Sequence, residues 1–519
     1  MRKTSKDFKY LITFVLFSIL LASCEKDISD TSQPPGTETV NVSVLGKKLE
    51  NPYSVINMQK ALNNLLNNLK GGEYEIIPSH YYIKFKPQND DELSLLKNDT
   101  SIYLYQYPLD VEIIEGSLTY QDLEVPQDQP TYQYASVPAN YVFPAVAHEI
   151  LEELFIPEDT TGSKAGLPVP VEDLVTEALR ITNNLEPGYN AKANWRPAGT
   201  MLVWDTTLEI SVPIKHLKVR ARRWFTTYEG ITNQSGYYSC NGTFSGPANY
   251  SLQFERYDFE IRDAWLSTAN INGPKRNFNW NLNMKGGKQQ FWATIFRATS
   301  HYYYDDIHGL RRPPQNSFWN TQLKLRAMFE SNSSNGTHCA SCRFLGLGSA
   351  IKIYNPQNFS MEIYGTTIHE IAHASHWKMD SFTYGCQNDD NCAIQCCLGD
   401  LNVAESWARG VQWELTRMLY SQYQPTYARI NYTGVVQDLI DGFGTKGTFY
   451  WWDSNTNTWG SPNLYRSYND LVTGYSIRQI EDALLGQLTW NAWKTNIYNL
   501  YNNATKENLE SSFNYWNTY

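Results

Sequence analysis

The N-terminal third of the chain mixes helical and strand-like patterns of apolar residues. Apolar side chains over Val55–Leu69 recur near i, i+3, i+4 and i+7 spacing, which predicts an amphipathic helix. The same reasoning predicts strands at His80–Pro87 and Ile102–Tyr107, with a helical turn at Glu92–Lys97 between them. It also predicts two further amphipathic helices, at Val146–Leu154 and Val171–Asn183. This order of elements predicts a small α+β region over residues 43–195.

From Arg196 to about residue 277 the apolar period changes to two, the period of a strand. Apolar residues of Leu217–Ala221 alternate with basic ones, which predicts a half-buried strand. The alternation changes phase between Tyr250–Phe254 and Tyr257–Ile261, which indicates a bulge or the end of a strand. We therefore expect a β-rich unit here.

Two segments of this β-rich unit carry a family resemblance. Val212–Trp224 and Gly230–Ser239, the second of which contains a polar, glycine-containing turn, resemble the regulatory, transthyretin-like β-sandwich found beside carboxypeptidases and on many bacterial surface proteins. The resemblance implies a β-sandwich domain for residues 196–277.

The first 24 residues have the features of an export signal. Basic residues precede a 13-residue apolar stretch, Tyr10–Ala22, which is shorter than the about 20 residues that span a membrane. Leu-Ala-Ser-Cys, ending at Cys24, is similar to the lipobox of bacterial lipoproteins and implies lipidation of Cys24; an ordinary secretory signal is the alternative. Residues 25–42 are rich in Ser, Thr, Pro and Gly and are predicted to be a flexible tether.

Charge and composition exclude several classes of function. The chain has 43 basic and 53 acidic residues, a net charge of −10, and no basic tract outside its first ten residues. Because nucleic-acid binding depends on a basic surface, we expect no nucleic-acid partner. Apolar residues make up 42% of the chain, which is enough for packed cores rather than general disorder.

Three of the nine histidines fall between positions 369 and 376. Two of them form an H-E-x-x-H sequence, His369–His373, within a predicted helix over Met361–Lys378. Residues four apart share a helix face about 6 Å apart, so both imidazoles can reach one tetrahedral zinc ion. Glu370 lies beside them, where it can act as a general base.

Two other interpretations concern the same helix. His376 lies on the same face but about 10 Å along the axis from His369, so one ion cannot join both. We predict a packing or cleft-edge role for His376. Alternatively, Thr367 and Glu370 form a capping box at a helix start, and the histidines lie on the surface.

This region resembles the gluzincin zinc metallopeptidases, whose third ligand is a glutamate on a downstream helix. Asp400–Tyr420 is predicted to be a helix, and Glu405 borders its apolar stripe, so the resemblance implies Glu405 as that ligand. Asp400, more typical of an N-cap, and Glu414 are its competitors. Thermolysin-like gluzincins have an aspartate four residues after this glutamate; here Arg409 stands instead, which leaves the partners of the histidines unassigned.

The resemblance also implies a mixed sheet and a hydrogen-bond donor for the oxyanion over residues 278–519. Leu323–Glu330 and Ala350–Tyr354 are predicted strands, and the second occupies the place of the edge strand to which an extended substrate can add. Tyr475 is the predicted oxyanion donor, with Arg478 as the alternative.

The cysteine count fits an exported protein. Besides Cys24 there are seven cysteines, so at least one is unpaired, and four lie between the two predicted zinc helices: Cys386, Cys392, Cys396 and Cys397. Disulfides across this loop are the predicted role. A structural zinc site that joins Cys339 and Cys342 to the later cluster is the alternative.

Together these features predict a multidomain α+β protein with a small N-terminal α+β domain, a middle β-sandwich and a C-terminal zincin-like domain. The resemblance implies a membrane-anchored zinc metallopeptidase that hydrolyses peptide bonds of extracellular proteins or glycoproteins through a zinc-bound water and Glu370. We expect anchoring in the outer membrane of a Gram-negative bacterium. The acidic Glu25–Asp27 segment resembles the surface-export signal of some Gram-negative lipoproteins and implies that the protein faces outwards; a periplasm-facing orientation is the alternative.

Two other functions fit the sequence. One is a surface glycan- or protein-binding lipoprotein with a catalytically idle zincin domain, against which the intact Glu370 argues. The other is a metal-dependent hydrolase that acts on a non-peptide bond. The 36 tyrosines and 16 tryptophans suit glycoprotein substrates, because aromatic rings stack on sugars.

Overall fold

The computed structural model describes most of the chain from residue 45 onward. The described residues are 45–69, 74–126, 129–157, 167–186, 189, 194–263, 267–317, 321–329, 337–338, 351–354, 359–387, 400–425, 427, 432–442, 452–453, 458–459 and 470–517. The predicted export signal with Cys24, the tether at 25–42 and five of the other cysteines lie outside them. Within the described part, no helix has the length and apolar content needed to cross a membrane.

The N-terminal region combines three helices with one antiparallel sheet. The elements are α1 (Val55–Leu69), β1 (His80–Phe85), α2 (Asp90–Asn98), β2 (Gln133–Pro138), β3 (His148–Leu154) and α3 (Val171–Ile181). The sheet has the order β2-β1-β3, and α1 packs against α3. The predicted helices α1 and α3, the strand β1 and the helical turn within α2 are confirmed.

Two predictions in this region are wrong. Val146–Leu154 is not a helix, because β3 pairs antiparallel with β1 and leaves Ile150 and Leu151 exposed. Its Glu- and Leu-rich sequence favours a helix locally, and pairing with β1 overrides that preference. Ile102–Tyr107 is not a strand; Tyr105 forms only an isolated bridge to Tyr134.

The middle region contains two sheets. Its strands are β4 (Ala198–Asp205), β5 (Ile210–Pro213), β6 (Lys218–Arg223), β7 (Thr226–Ile231), β8 (Tyr237–Ser239), β9 (Ala248–Gln253), β10 (Phe259–Arg262), β11 (Asn270–Arg276) and β12 (Leu282–Met284). One sheet has the order β11-β9-β6-β7; the other has the order β12-β4-β5, with β8 also paired to β4. Apolar residues of both sheets belong to one hydrophobic core.

Strand β6 is buried on both faces, although its alternating sequence predicts a half-buried strand. Arg220, Arg222 and Arg223 are buried along with the apolar positions of the strand. Arg220 and Arg222 donate to the backbone carbonyls of Leu104 and Leu109 at 2.9 Å. The N-terminal region therefore covers the basic face of β6 and replaces water as its hydrogen-bond acceptor.

The phase change near residue 257 marks a strand end, one of its two predicted meanings. Strand β9 stops at Gln253, and β10 joins a different sheet, in which it runs parallel to β13 (Leu323–Met328). That sheet has the order β10-β13-β15-β14, with β14 at Thr337–His338 and β15 at Ile351–Tyr354. Strand β15 is predicted to be the edge strand, and this prediction is wrong, because β14 pairs antiparallel on its outer side.

Helices make up most of the rest of the C-terminal region. They are α4 (Gly287–Tyr304), α5 (Ser360–Met379), α6 (Ser381–Gln387), α7 (Leu401–Arg417), α8 (Val435–Ile440), α9 (Ile477–Leu484), α10 (Trp490–Leu500) and α11 (Leu509–Asn517), joined by a 3-10 turn at Lys506–Asn508 and a two-stranded ribbon of β16 (Trp452–Asp453) and β17 (Thr458–Trp459). Helix α5 packs against α4, α7, β14 and β15. The described residues thus form a mixed α+β protein with several sheets and 11 helices, as predicted at that level.

Two glycines let α5 and α7 pack closely with their neighbours. A Cβ at Gly365 of α5 would lie 2.5 Å from the hydroxyl of Tyr423, and a Cβ at Gly410 of α7 would lie 2.3 Å from Val436 of α8. Both distances are shorter than van der Waals contact, so larger residues would push the helices apart. These glycines help to set the position of the two helices that carry the candidate site.

Candidate metal centre

Helix α5 presents His369, Glu370 and His373 inside the protein. Its first turn is held by the turn between β4 and β5, since Ser360 and Met361 donate backbone N–H groups to the hydroxyls of Thr206 and Thr207 at 2.8 and 3.0 Å. The three side chains lie in the buried middle of the helix. The helix starts at Ser360, and Thr367 donates its hydroxyl to an α5 carbonyl, so the capping-box alternative is wrong.

Glu405 meets the two histidines from the facing helix α7. Its Oε2 lies 3.1 Å from Nε2 of His369 and 3.3 Å from Nε2 of His373, and the two Nε2 atoms are 3.2 Å apart. In the part of the chain that the structure describes, these three residues are the only group of three His, Cys, Asp or Glu side chains whose arrangement could hold a metal ion. His369 of α5 and Glu405 of α7, which are 36 residues apart in the sequence, therefore belong to one cluster.

The three donor atoms fit the geometry of zinc. Zinc bonds to nitrogen and oxygen measure about 2.0–2.1 Å, so neighbouring ligands of a tetrahedral ion are about 3.3 Å apart. The measured triangle, with sides of 3.1, 3.2 and 3.3 Å, matches that spacing. Two imidazoles and one carboxylate leave a fourth position open, as catalytic zinc sites require.

The electrostatics of the cluster also suit a cation. Burial, followed by the neighbouring His373, lowers the pKa of His369 to about 4, so its imidazole is neutral at pH 7. Burial acts against the charged form of His373, but the charge of Glu405 outweighs it and raises its pKa. Burial likewise opposes ionisation of Glu405, yet the charge of His373 keeps its pKa far below the usual range. An ionised carboxylate and a neutral imidazole are the forms in which Glu405 and His369 can bind a metal ion, whereas a protonated His373 would first have to release its proton.

Glu370 lies beside this cluster as an acid of raised pKa. Burial, with a smaller effect of the negative charge of Glu405, raises the pKa of Glu370 to about 8, while His373 and Arg409 oppose the rise. A cation bound at the cluster would lower the raised pKa of Glu370 towards neutral pH. A carboxyl group that titrates near the working pH can both accept and return a proton.

Tyr432 borders the cluster, and the sequence does not predict it. Its ring centre lies 6.1 Å from that of His369, and the charge of Glu405 is the largest cause of its raised pKa. Among 36 tyrosines, position along the chain carries no signal that selects this one. Only the fold brings Tyr432 to the cluster.

Tyr475 and Arg478 are not brought together with the cluster. The backbone of Tyr475 donates to Leu439 and its ring contacts Tyr501; its buried hydroxyl has no hydrogen-bond partner among the described residues. Arg478 donates to the carbonyl of Gly309 at 3.1 Å and pairs with acids of its own helix.

The competitors of Glu405 are engaged elsewhere. Asp400 occupies the N-cap position of α7 and accepts the backbone N–H of Trp490 at 2.8 Å. Glu414 contacts the ring nitrogen of His308 at 2.6 Å and accepts from Nε and Nη2 of Arg417. His376 is 1% exposed and packs on Tyr384 with a ring-centre distance of 5.2 Å, which confirms the predicted packing role.

Two cysteines lie within the described residues. Cys386 on α6 is disulfide-bonded, and its partner lies outside the described residues. Cys240 is a buried free thiol in the core of the middle region. A disulfide at Cys386 agrees with a bridged loop between the two helices of the cluster; the pairing and the alternative cysteine zinc site fall outside the described residues.

Comparisons with protein-family models, with curated protein sequences and with solved structures find no match to this chain. The assignment of a function therefore depends on the geometry of the site.

Proposed function

We propose that this protein is a zinc metallopeptidase, with His369, His373 and Glu405 as the zinc ligands. The observation that supports this most strongly is the triangle of donor atoms with sides of 3.1–3.3 Å, formed by two helices that meet only in the folded protein. The sequence resemblance to gluzincins names the same three residues. Zinc held there would supply Lewis acidity, which lowers the pKa of water and polarises a carbonyl group.

In this proposal the residues of the chain move the protons and orient the substrate. Glu370 takes a proton from the attacking water and passes it to the nitrogen of the leaving amine, which its raised pKa favours. We assign the oxyanion donor to Tyr432 rather than Tyr475, because Tyr432 borders His369 and its raised pKa keeps the hydroxyl protonated. Strand β14 offers the outer edge of the sheet to an extended substrate.

The proposal extends to location and substrate. The lipobox-like sequence at Cys24 supports a lipid anchor in the outer membrane, which would place the site beside extracellular proteins and glycoproteins. The alternative is a binding lipoprotein with an idle zincin domain. The buried Glu370 favours the enzyme. Burial of a carboxyl group that has no ion pair among the described residues costs free energy of desolvation, and a catalytic role explains why such a group is present.

The test combines metal analysis with proteolysis by residues 25–519. We expect one zinc per chain and cleavage of denatured proteins or glycoproteins. Glu370→Gln should keep the zinc and lower the cleavage rate by about 10²–10⁴-fold, the usual contribution of a general base. His376→Phe is the control, since His376 packs near the ligands without binding the ion.

Two results would count against the proposal. Stoichiometric zinc without cleavage of any protein or glycoprotein would favour the idle domain. Equal rates for the native protein and Glu370→Gln would remove Glu370 from the reaction.

A further inference from the structure

Arg409 is a cation beside the candidate metal centre that has no ion-pair partner among the described residues. It is half-buried on α7, one helical turn after Glu405. Its guanidinium stacks on the ring of Tyr432 at 4.7 Å and donates to the side-chain oxygen of Gln412 at 2.8 Å. Among the described residues it forms no ion pair, and its Nε–H is buried without an acceptor.

A second arginine of the same helix shows what Arg409 lacks. Arg417 also stacks on an aromatic ring, that of Trp413, at 4.1 Å. In addition it donates to one oxygen of Glu414 at 2.6 and 2.8 Å through two nitrogens. Arg409 has the same ring support, but none of the described carboxylates occupies the corresponding place.

The charge of Arg409 acts on two acids of α5, Glu362 and Glu370, but no described residue forms an ion pair with it. Burial raises the pKa of Glu362, and the charge of Arg409 only partly offsets that effect. No ion pair joins the two side chains. The guanidinium therefore keeps its capacity to bind a planar anion through two parallel hydrogen bonds, which is the geometry that arginine offers to carboxylates.

Arg409 is also within reach of the reacting centre. Tyr432 contacts both, since its ring centre is 6.1 Å from that of His369 and 4.7 Å from the guanidinium of Arg409. A peptide held at the cluster would pass this pair of side chains. A carboxylate on that peptide would meet the unpaired charge.

We propose that Arg409 binds a carboxylate of the peptide substrate, so that the metal centre prefers peptides with an acidic group close to the scissile bond. The acidic group is either an Asp or Glu side chain or the free C-terminus. This inference depends on the proposed peptidase function and names its substrate class.

The first test compares cleavage of matched peptides. In the first set, each position flanking the scissile bond of a cleaved sequence carries Glu in one peptide and Gln in the matched peptide, and all C-termini are amidated. In the second set, each sequence is made once with a free C-terminus and once with an amidated C-terminus. We expect a kcat/KM about 10–100-fold higher for one type of acidic peptide, as for a charged hydrogen bond, mainly through KM. Arg409→Gln should remove the preference and keep the zinc, whereas Arg409→Lys should retain part of it.

Two further variants separate recognition from other roles. Arg417→Gln, on the same helix but already paired in the native protein, should leave the preference and the rates unchanged. Tyr432→Phe should lower kcat for acidic and neutral peptides alike and keep their ratio. Equal kcat/KM for acidic and neutral peptides, or an equal loss for all peptides in Arg409→Gln, would overturn the inference.

A binding measurement keeps the inference testable without turnover. Zinc-loaded Glu370→Gln is titrated with the Glu and Gln peptides, and the same titration is repeated in Glu370→Gln/Arg409→Gln. Tighter binding of the acidic peptide that disappears in the double variant supports the inference; identical affinities contradict it. If the native protein binds zinc and acidic peptides but cleaves none, the peptidase proposal fails while recognition by Arg409 stands.

Discussion

Two of the buried clusters of charge among the described residues differ in how their charges are balanced. The first joins α2 of the N-terminal region to β10 and β13 of the parallel sheet. Arg262 donates to Asp90 at 2.7 Å and to Glu260, while Lys97 pairs with Glu260 and Lys324 pairs with Asp90. Every carboxylate of this interdomain network has at least one cation of the chain as its partner.

The candidate metal centre is balanced differently. His373 and Glu405 form an ion pair within it, and the Nε2 atoms of His369 and His373 lie 3.2 Å apart. Glu370 is buried beside them, and no lysine or arginine of the described residues forms an ion pair with it.

The comparison shows how to separate structural from functional burial of charge. A buried charge loses hydration, and a partner of opposite charge with good hydrogen bonds can offset that loss. The interdomain network contains such partners for its carboxylates and therefore serves the fold. In the candidate metal centre Glu405 pairs with His373, whereas Glu370 and Arg409 have no ion pair among the described residues.

The largest expected effect comes from breaking the interdomain network. Arg262→Met leaves Glu260 and Asp90 with one cation each and should destabilise the protein by about 3–5 kcal/mol in urea unfolding. Lys494→Met, which breaks the exposed pair with Glu510, is the matched control and should change the unfolding free energy by less than about 1 kcal/mol. Zinc content should be normal in both. A loss below 1 kcal/mol for Arg262→Met would show that the network contributes little to stability.

The next effect concerns stabilisation by zinc. At free zinc one hundred times its dissociation constant, the native protein should gain about 3 kcal/mol in unfolding free energy over the metal-free form. Glu405→Ala should lose this gain because one ligand is missing, and Arg262→Met should keep it. Thermal unfolding with and without a chelator measures both. Retention of the zinc gain by Glu405→Ala would remove Glu405 from the ligand set.

The smallest effect is a change with pH. Burial opposes the ionisation of Glu260, but the charges of Arg262 and Lys97 outweigh it and lower its pKa to about 2. Its contribution to stability is therefore complete above its ordinary pKa of about 4.5 and is lost as the pH falls towards 2. Urea unfolding of metal-free protein between pH 6 and 3 should show this loss, and the slope should be shallower in Arg262→Met. Equal slopes would contradict the assignment.

Local patterns in the sequence predicted the helices that carry the metal ligands. His369 and His373 belong to one helix, and their four-residue spacing fixes them on one face whatever surrounds them. Glu405 needed a family resemblance as well, because its spacing from the histidines is not a local property. The helical rise along α5 also separated His376 from the ligands correctly.

Predictions failed where distant segments decide the outcome. Val146–Leu154 became β3 because β1 offers it a partner, and β6 is buried on both faces because the N-terminal region covers its arginines. Strand β10 lies in the range predicted as a sandwich but pairs with β13, 64 residues away by the register of Phe259 with Leu323. No local pattern records such contacts.

The sequence by itself determined the helix that carries His369 and His373, the place of Glu370 beside them and the acidic character of the chain. Only the tertiary structure decided that Glu405 meets both histidines, that Tyr432 rather than Tyr475 borders them, and that Arg409 forms no ion pair with another described residue. The physical reason is the distance along the chain over which each interaction acts. Helix periodicity acts over a few residues, whereas a metal cluster and the balance of buried charge depend on segments that come together only when the chain folds.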